Sequence, residues 1–266
     1  MLTGFADLSV YLVEPSAVQG RIITNQLSQQ GVRSIEQFES AGAMLDKLRE
    51  QSPSLVISAL YLPDMQGTEL VRRLRADPAT EHTPFILISS ETRPQVLDPV
   101  RQSGVCGILP KPFSEAQLDM ALRTTLDYLD TDASIDVDVA DLEALTVLVV
   151  DDSANARKFI RRVFENLGVR NFHEAENGVQ AVAVLADTMV DLVVTDYNMP
   201  EMDGKELVNY IRTKSWQNSV PILMVTSESN ESRLAAIEEA GVSGICDKPF
   251  EPNTVKTLLT KILRND

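Results

Sequence analysis

Only two cysteines, Cys106 and Cys246, and two histidines, His82 and His173, occur in 266 residues. There is no CxxC and no paired Cys/His spacing, which excludes a disulfide framework and a Cys/His metal cluster. Both cysteines read as small buried hydrophobes. Long apolar runs are missing too, since nothing approaches the roughly 20 residues that cross a bilayer. The opening "MLTGFADLSVYLVEP" has neither the basic start nor the small-residue cleavage site of a signal peptide. The expected location is cytoplasmic, with no membrane partner. Positive charge is scarce: 24 Lys and Arg stand against 39 Asp and Glu, a net charge of -15. Nonspecific grip on nucleic acid comes from Lys and Arg facing phosphates, so no nucleic-acid partner is expected.

With 44% hydrophobic residues, the chain can bury a core in each of two ordinary domains. The charge is unevenly spread. Residues 1–126 carry 11 basic and 14 acidic residues, residues 147–266 carry 13 and 18, and the segment from Asp127 to Thr146 holds seven acids and no base. Mutual repulsion there favours an extended or frayed connector. The alternation of Ile135, Val137 and Val139 with acids leaves a short strand or docking strip as the alternative. The expected organisation is a domain at 1–126, an acidic linker at 127–145 and a domain at 146–266.

The two domains are copies. An offset of 137 residues, with no gap, superposes Gly31-Val32-Arg33 on Gly168-Val169-Arg170, Pro63 on Pro200, Gly67 on Gly204, Pro84 on Pro221 and Gly104 on Gly241. It also superposes the "KPF" at Lys111 on that at Lys248. Each copy alternates short apolar runs with amphipathic segments, the pattern of a parallel sheet covered on both faces by helices. In the second copy the strands read "TVLVV", "FHEA", "LVVT", "ILMVT" and "GICDK". Ala154 to Asn166 places Phe159, Ile160, Val163, Phe164 and then Leu167 at helical spacing. The expected fold class is α/β: two flavodoxin-like, doubly wound (βα)5 domains with parallel five-stranded sheets and sites at the carboxyl ends of the strands.

Chemistry gathers at those ends in the second copy. Asp151 and Asp152 follow the first strand and Asp196 ends the third, so three carboxylates converge from adjacent strands. Such crowding needs a cation, and hard oxygen donors with little room suit Mg2+, whose oxygen distances are about 2.0–2.1 Å. Thr226 ends the fourth strand and Lys248 the fifth. A hydroxyl and an ammonium facing an acid cluster can neutralise a phosphoryl group, and a carboxylate can be its nucleophile. Singly, Asp152 or Ser153 reads as a helix cap and Lys248-Pro249 as a turn; together they describe an aspartyl-phosphate site.

These residues resemble those of response-regulator receiver domains, and Thr146 to Leu263 resembles the chemotaxis-type (CheY-like) members. The resemblance implies Asp196 as phosphoacceptor, Asp152 as a direct metal ligand, Asp151 as a ligand through water and Asn198 as a ligand through its backbone carbonyl. It implies Thr226 and Lys248 as phosphoryl-binding groups and a cis Lys248-Pro249 bond. It also implies rate tuning by Asn198 and Glu228, a lifetime of seconds to minutes, and a water path left open by small Ser227. The family's usual aromatic three residues before the lysine is replaced by Ile245, and by Ile108 in the first copy. A shift of Thr226 and the loop after it then remains as the route for the signal. The cluster Arg157, Lys158, Arg161 and Arg162 reads as a solvated face or as a docking surface for an acidic histidine-phosphotransfer partner.

The first copy resembles receivers from Ser9 to Leu126 as a fold, but its motif fails. Glu14 stands for Asp151, Pro15 for Asp152, Ala59 for Asp196 and Tyr61 for Asn198. Ser89 and Lys111 remain. Alanine accepts no phosphoryl group, and Glu14 beside Pro15 has too few ligands for Mg2+. A permanent Glu14–Lys111 salt bridge is expected, with Asp64 and Ser58 as minor candidates for substitute chemistry. This copy reads as a degenerate pseudo-receiver.

The function implied is a two-component or phosphorelay response regulator that takes phosphate from a phosphohistidine on a histidine kinase or phosphotransfer protein. It would signal to a downstream protein, with homodimerisation left open. No DNA-binding output module is recognisable after the second copy. The alternatives are a phosphorylation-independent adaptor and a phosphate sink for a shared kinase. An aspartyl-phosphate phosphatase would set a second Asp where Asn198 stands, so the chain is not expected to be an enzyme beyond its own phosphorylation and dephosphorylation.

Overall fold

A computed structural model describes residues 4–91, 93–130, 139–226, 241–248 and 252–263. The chain divides into two compact units, Met1–Asp130 and Thr131–Asp266. After a short 3-10 turn at Phe5–Asp7, the first runs β1 (Ser9–Val13), α1 (Ala17–Gln29), β2 (Ser34–Phe38), α2 (Ala41–Leu48), β3 (Leu55–Ala59), α3 (Gly67–Ala76), β4 (Phe85–Ser89), α4 (Pro94–Arg101), β5 (Gly107–Pro110) and α5 (Glu115–Leu129). The second runs α6 (Val139–Ala144), β6 (Thr146–Val150), α7 (Ala154–Asn166), β7 (Asn171–Ala175), α8 (Gly178–Asp187), β8 (Leu192–Asp196), α9 (Gly204–Lys214), β9 (Ile222–Thr226), β10 (Gly244–Asp247) and α10 (Pro252–Leu263).

Both sheets are parallel and five-stranded, ordered β2-β1-β3-β4-β5 and β7-β6-β8-β9-β10. This is the doubly wound α/β class read from the sequence. The 137-residue offset holds in the strand pairing itself: Ser9 lies opposite Ser34 as Thr146 does Asn171, and Val10 opposite Leu55 as Val147 does Leu192. Strands β3, β4, β8 and β9 are buried at every residue, whereas the edge strands β2 and β7 keep several residues at the surface. Helices covering both faces of a parallel sheet bury its central strands, which is why those strands read as continuous apolar runs. Connections leave β1 toward β2 on one side and β3 on the other, opening a crevice at the strands' carboxyl ends.

Local chemistry makes the copies alike. Ser16 and Ser153 cap α1 and α7 by accepting from the backbone N–H of Gln19 and Ala156, at 3.4 and 3.3 Å. Each such cap stabilises by about 1 kcal/mol. Both helices end on a left-handed glycine, Gly31 at φ 101° and Gly168 at φ 110°. There the Val32 and Val169 N–H groups reach back to the carbonyls of Leu27 and Phe164, both at 3.1 Å, closing paired Schellman turns. An arginine that no sequence motif singles out ties each unit together. Arg75 donates to the carbonyls of Thr83, Ser103 and Gly104, and Arg212 to those of Asn218, Val220 and Gly241.

The described ends of the acidic segment, for which an extended or frayed connector is expected, are helical, and residues 131–138 lie outside the described residues. Helix α5 continues through Asp127 to Leu129, and Val139 to Ala144 form α6, which belongs to the second unit. Leu142 and Leu145 are buried, Leu142 beside Gly168, and the Asn171 side chain donates to the Glu143 carbonyl at 2.9 Å. Burial of the two leucines favours this helical turn despite the acidic character of the segment. Ile135 and Val137 lie outside the described residues.

Candidate functional site

The tips of β6 and β8 place Asp151, Asp152 and Asp196 together. One oxygen from each lies within 4.8 Å of the others. Asp151 is fully buried and Asp196 is 2% exposed, while Asp152 faces solvent. The tip of β10 contributes Lys248, whose backbone N–H donates to the Thr226 carbonyl at 2.8 Å. Its Nζ reaches Asp151 Oδ2 at 2.7 Å and Asp196 Oδ1 at 3.1 Å. Thr226 is fully buried at the end of β9, and Asn198 is exposed two residues past Asp196.

The loop carrying Asn198 is held from three sides. A Cβ on Gly204 would collide with the Asp196 carbonyl oxygen and lie 2.9 Å from the Tyr197 Cα, so α9 starts against the β8 tip at a contact open only to glycine. Glu201 adopts the left-handed conformation at φ 65° and accepts from the Asn177 side chain at 3.2 Å. Asp203 and Glu206 then form a reciprocal capping box that starts α9. These residues position the site, although only Gly204 stands out in the sequence as a landmark.

The charges are unevenly matched. Burial, the largest influence, pushes the Asp196 carboxyl up to about 6; Lys248 pulls it down and Asp151 pushes it further up. Burial also disfavours the Lys248 ammonium, but Asp151 and Asp196 together outweigh that and raise it. Asp152 is raised by its partial burial and then by Asp151. One cation shared by two carboxylates leaves the cluster short of positive charge. Among the described residues, Asp196 Oδ2 is buried with no hydrogen-bond partner. Hard oxygen donors and an orphaned buried carboxylate oxygen fit a small divalent cation such as Mg2+, which would satisfy that oxygen.

The basic cluster on α7 is not one solvated face. Arg157 is buried and donates to the Asp151 carbonyl at 2.7 Å and to Glu174 and Glu176 at 3.1 and 3.4 Å. Arg161 pairs with Glu165 at 2.8 Å and lies over the Phe172 ring. Helical spacing placed these cations on one helix, but only the packing of α7 against the β6 tip turns Arg157 inward. Ser153, not Asp152, caps the helix. Ile245 is partly buried against the core, as is Ile108 in the first unit. Ser227, Glu228 and Pro249 lie outside the described residues. The cis Lys-Pro bond described here is Lys111-Pro112.

In the first unit Glu14 is buried, accepts from the Ser16 N–H at 3.0 Å and pairs with Lys111 Nζ at 2.7 Å. Ala59 occupies the β3 tip, buried, and Pro15 and Tyr61 are exposed. Ser89 is buried and accepts from the Glu91 N–H at 2.9 Å. The Asp64 carboxylate accepts from Ala41 and Gly42 N–H at 3.1 and 2.7 Å, starting α2, and the Ser58 hydroxyl donates to the Ala59 carbonyl at 2.9 Å. Both groups have structural partners here.

The model of the response regulator receiver domain matches residues 10–123 and again 147–260. The chain belongs to the response regulator receiver domain family and carries two such domains in tandem. It is 39% identical to chemotaxis protein CheY1 of Helicobacter pylori over 122 residues, 45% of this chain and 97% of that protein. It is 36% identical to chemotaxis protein CheY-3 of Vibrio cholerae over 118 residues, 44% of this chain and 91% of that protein. A crystal structure named as a two-component system response regulator/GGDEF domain protein is similar over 96% of this chain and 99% of its own, at 23% identity and a TM-score of 0.41. No helix among the described residues is long and apolar enough to cross a membrane.

Proposed function

We propose that this protein is a phosphorelay response regulator in which Asp196 accepts a phosphoryl group from a phosphohistidine, with Mg2+ as cofactor, and that signalling proceeds through protein-protein contacts. The observation that carries the reading is the state of the Asp196 carboxylate: Oδ1 is 3.1 Å from Lys248 Nζ, while Oδ2 is buried and, among the described residues, has no partner. A carboxylate held this way is oriented by its contact with Lys248 and keeps one oxygen that no described protein group satisfies, as a metal-assisted nucleophile requires. As the O–P bond to Asp196 forms, the P–N bond to the donor imidazole breaks and its electron pair leaves with the ring. Lys248 lies where charge on the transferred phosphoryl oxygens needs neutralising, and Thr226, at the adjacent strand tip, supplies a hydroxyl. Asp151, Asp152, Asp196 and the Asn198 backbone carbonyl are the groups that would hold Mg2+. Bound there, the ion would supply the positive charge that a single lysine shared by two carboxylates does not.

The first receiver, in the same reading, accepts no phosphate. Ala59 offers no nucleophile, and the Glu14–Lys111 pair occupies the strand tips permanently, which supports a docking or regulatory module of fixed conformation. The partners proposed are a histidine kinase or histidine-phosphotransfer protein as donor and a protein target downstream.

Intact-mass spectrometry after incubation with acetyl phosphate and Mg2+ tests this. One added phosphoryl group, absent in Asp196→Asn and in EDTA, is the expected result. Two additions would give the first receiver a chemistry denied it here. None, even from a cognate phosphohistidine donor, would leave a phosphorylation-independent adaptor.

A further inference from the structure

The arginine that starts the basic stretch of α7 has no part in the chemistry above, yet it reaches the acidic cluster. Arg157 is 8% exposed, and its guanidinium engages three acceptors on three segments: the Asp151 carbonyl at the β6 tip, Glu174 on β7 and Glu176 in the turn before α8. The contact to Asp151 is to the backbone, on the turn that delivers both Asp151 and Asp152 to the site. We propose that Arg157 is a positioning residue for the acidic cluster, clamping that turn so that the two carboxylates are held ready for the divalent cation.

The chain contains its own control. At the 137-residue offset Arg157 becomes Gly20 and Glu174 becomes Gln37, and a Cβ on Gly20 would run into the Gln37 side-chain amide. The first receiver nonetheless keeps the same strand register, the same serine cap and the same lysine-to-carboxylate contact at its strand tips. A clamp needed merely to fold this corner would be needed in both copies. It is missing where Pro15 and Ala59 have replaced a carboxylate ligand and the nucleophile. The planar guanidinium fork also fixes the directions in which it binds a carbonyl and two carboxylates on three segments, whereas a lysine would offer a single flexible ammonium.

The clamp rests on the acidic cluster being a Mg2+ site, and the test separates the two. Mg2+ affinity of the full-length protein is measured by isothermal titration calorimetry for wild type, Arg157→Met, Arg157→Lys and Arg161→Met, with folding checked by circular dichroism. Loss of an outer-shell partner typically weakens metal binding by about 10–100-fold. Arg157→Met is expected to fall in that range, Arg157→Lys to recover part of the loss, and Arg161→Met, which removes a neighbouring partner of Glu174, to stay within about twofold of wild type. No binding by wild type would overturn the metal site itself. Wild-type binding with folded Arg157→Met unchanged would overturn the clamp. Should Arg157→Met not fold, Glu174→Gln/Glu176→Gln carries the test: a weakened affinity supports the clamp and an unchanged one overturns it.

Discussion

Lys111 Nζ lies 2.7 Å from Glu14 Oε2, repeating in the first receiver the 2.7 Å contact of Lys248 Nζ with Asp151 Oδ2 in the second. The lysines differ in what else they hold. Lys248 is shared with Asp196, whereas the corresponding position beside Lys111 is Ala59. One lysine thus bridges two carboxylates and the other closes an ion pair with one.

If that pair is structural, Glu14→Gln should destabilise the protein by about 1–3 kcal/mol, because it leaves a mostly buried ammonium without its counter-charge. Replacing both partners, as in Glu14→Leu/Lys111→Met, should recover most of the loss. Urea unfolding of the single and double variants measures this. A single variant as stable as wild type would mean that Lys111 finds another partner at no cost.

Restoring the nucleophile alone should not restore chemistry to the first receiver. Ala59→Asp adds a carboxylate at the β3 tip but leaves Pro15 where a metal ligand is needed. The expected mass spectrum with acetyl phosphate and Mg2+ still shows one phosphoryl group. A second would show that Glu14 and the introduced carboxylate suffice.

The Asp196 carboxyl, raised to about 6 chiefly by burial, sets a pH dependence in EDTA-treated protein. Its folded value lies above its unfolded one, so between about pH 4 and 6 the native state binds more protons and stability falls as pH rises, levelling above pH 6. Asp196→Asn removes this and should be the more stable protein at pH 7, by about 1–3 kcal/mol, with the difference fading toward pH 4. Paired melting curves at the two pH values test it. A wild type gaining stability from pH 4 to pH 7 relative to Asp196→Asn would reverse the sign and sink the argument.

Gly204→Ala should cost about 2 kcal/mol or more, since its methyl would meet the Asp196 carbonyl oxygen, and should slow phosphorylation by displacing the Asn198 loop. Gly67→Ala, which meets the Ala59 carbonyl at 2.6 Å, should cost a similar amount and leave Asp196 phosphorylation unchanged. Unfolding midpoints and phosphorylation rates of the two variants separate stability from site geometry.

Much of this was legible in the chain because it depends on periodicity and spacing. Buried parallel strands announce themselves as apolar runs, serine caps and left-handed glycines mark helix ends, and the repeat makes each copy a check on the other. The convergence of Asp151, Asp152, Asp196 and Lys248 followed from strand order alone, because strand tips in a doubly wound sheet share one crevice. The Glu14–Lys111 pair was legible for the same reason.

The rest depended on which way side chains turn once helices pack. Arg157 and Arg161 are one turn apart on α7, yet one is buried at the acidic cluster and the other sits at the surface over Phe172. Spacing assigns both to one helix and says nothing of where the β6 tip lies. The described end of the acidic segment likewise turned on tertiary contact: its charge is visible in composition, but the burial of Leu142 and Leu145 exists only once α6 packs within the second unit. Sequence order sets which residues reach the strand tips. Packing sets which of their atoms are buried, paired or left open, and in this protein that difference singles out the Asp196 oxygen that has no partner among the described residues.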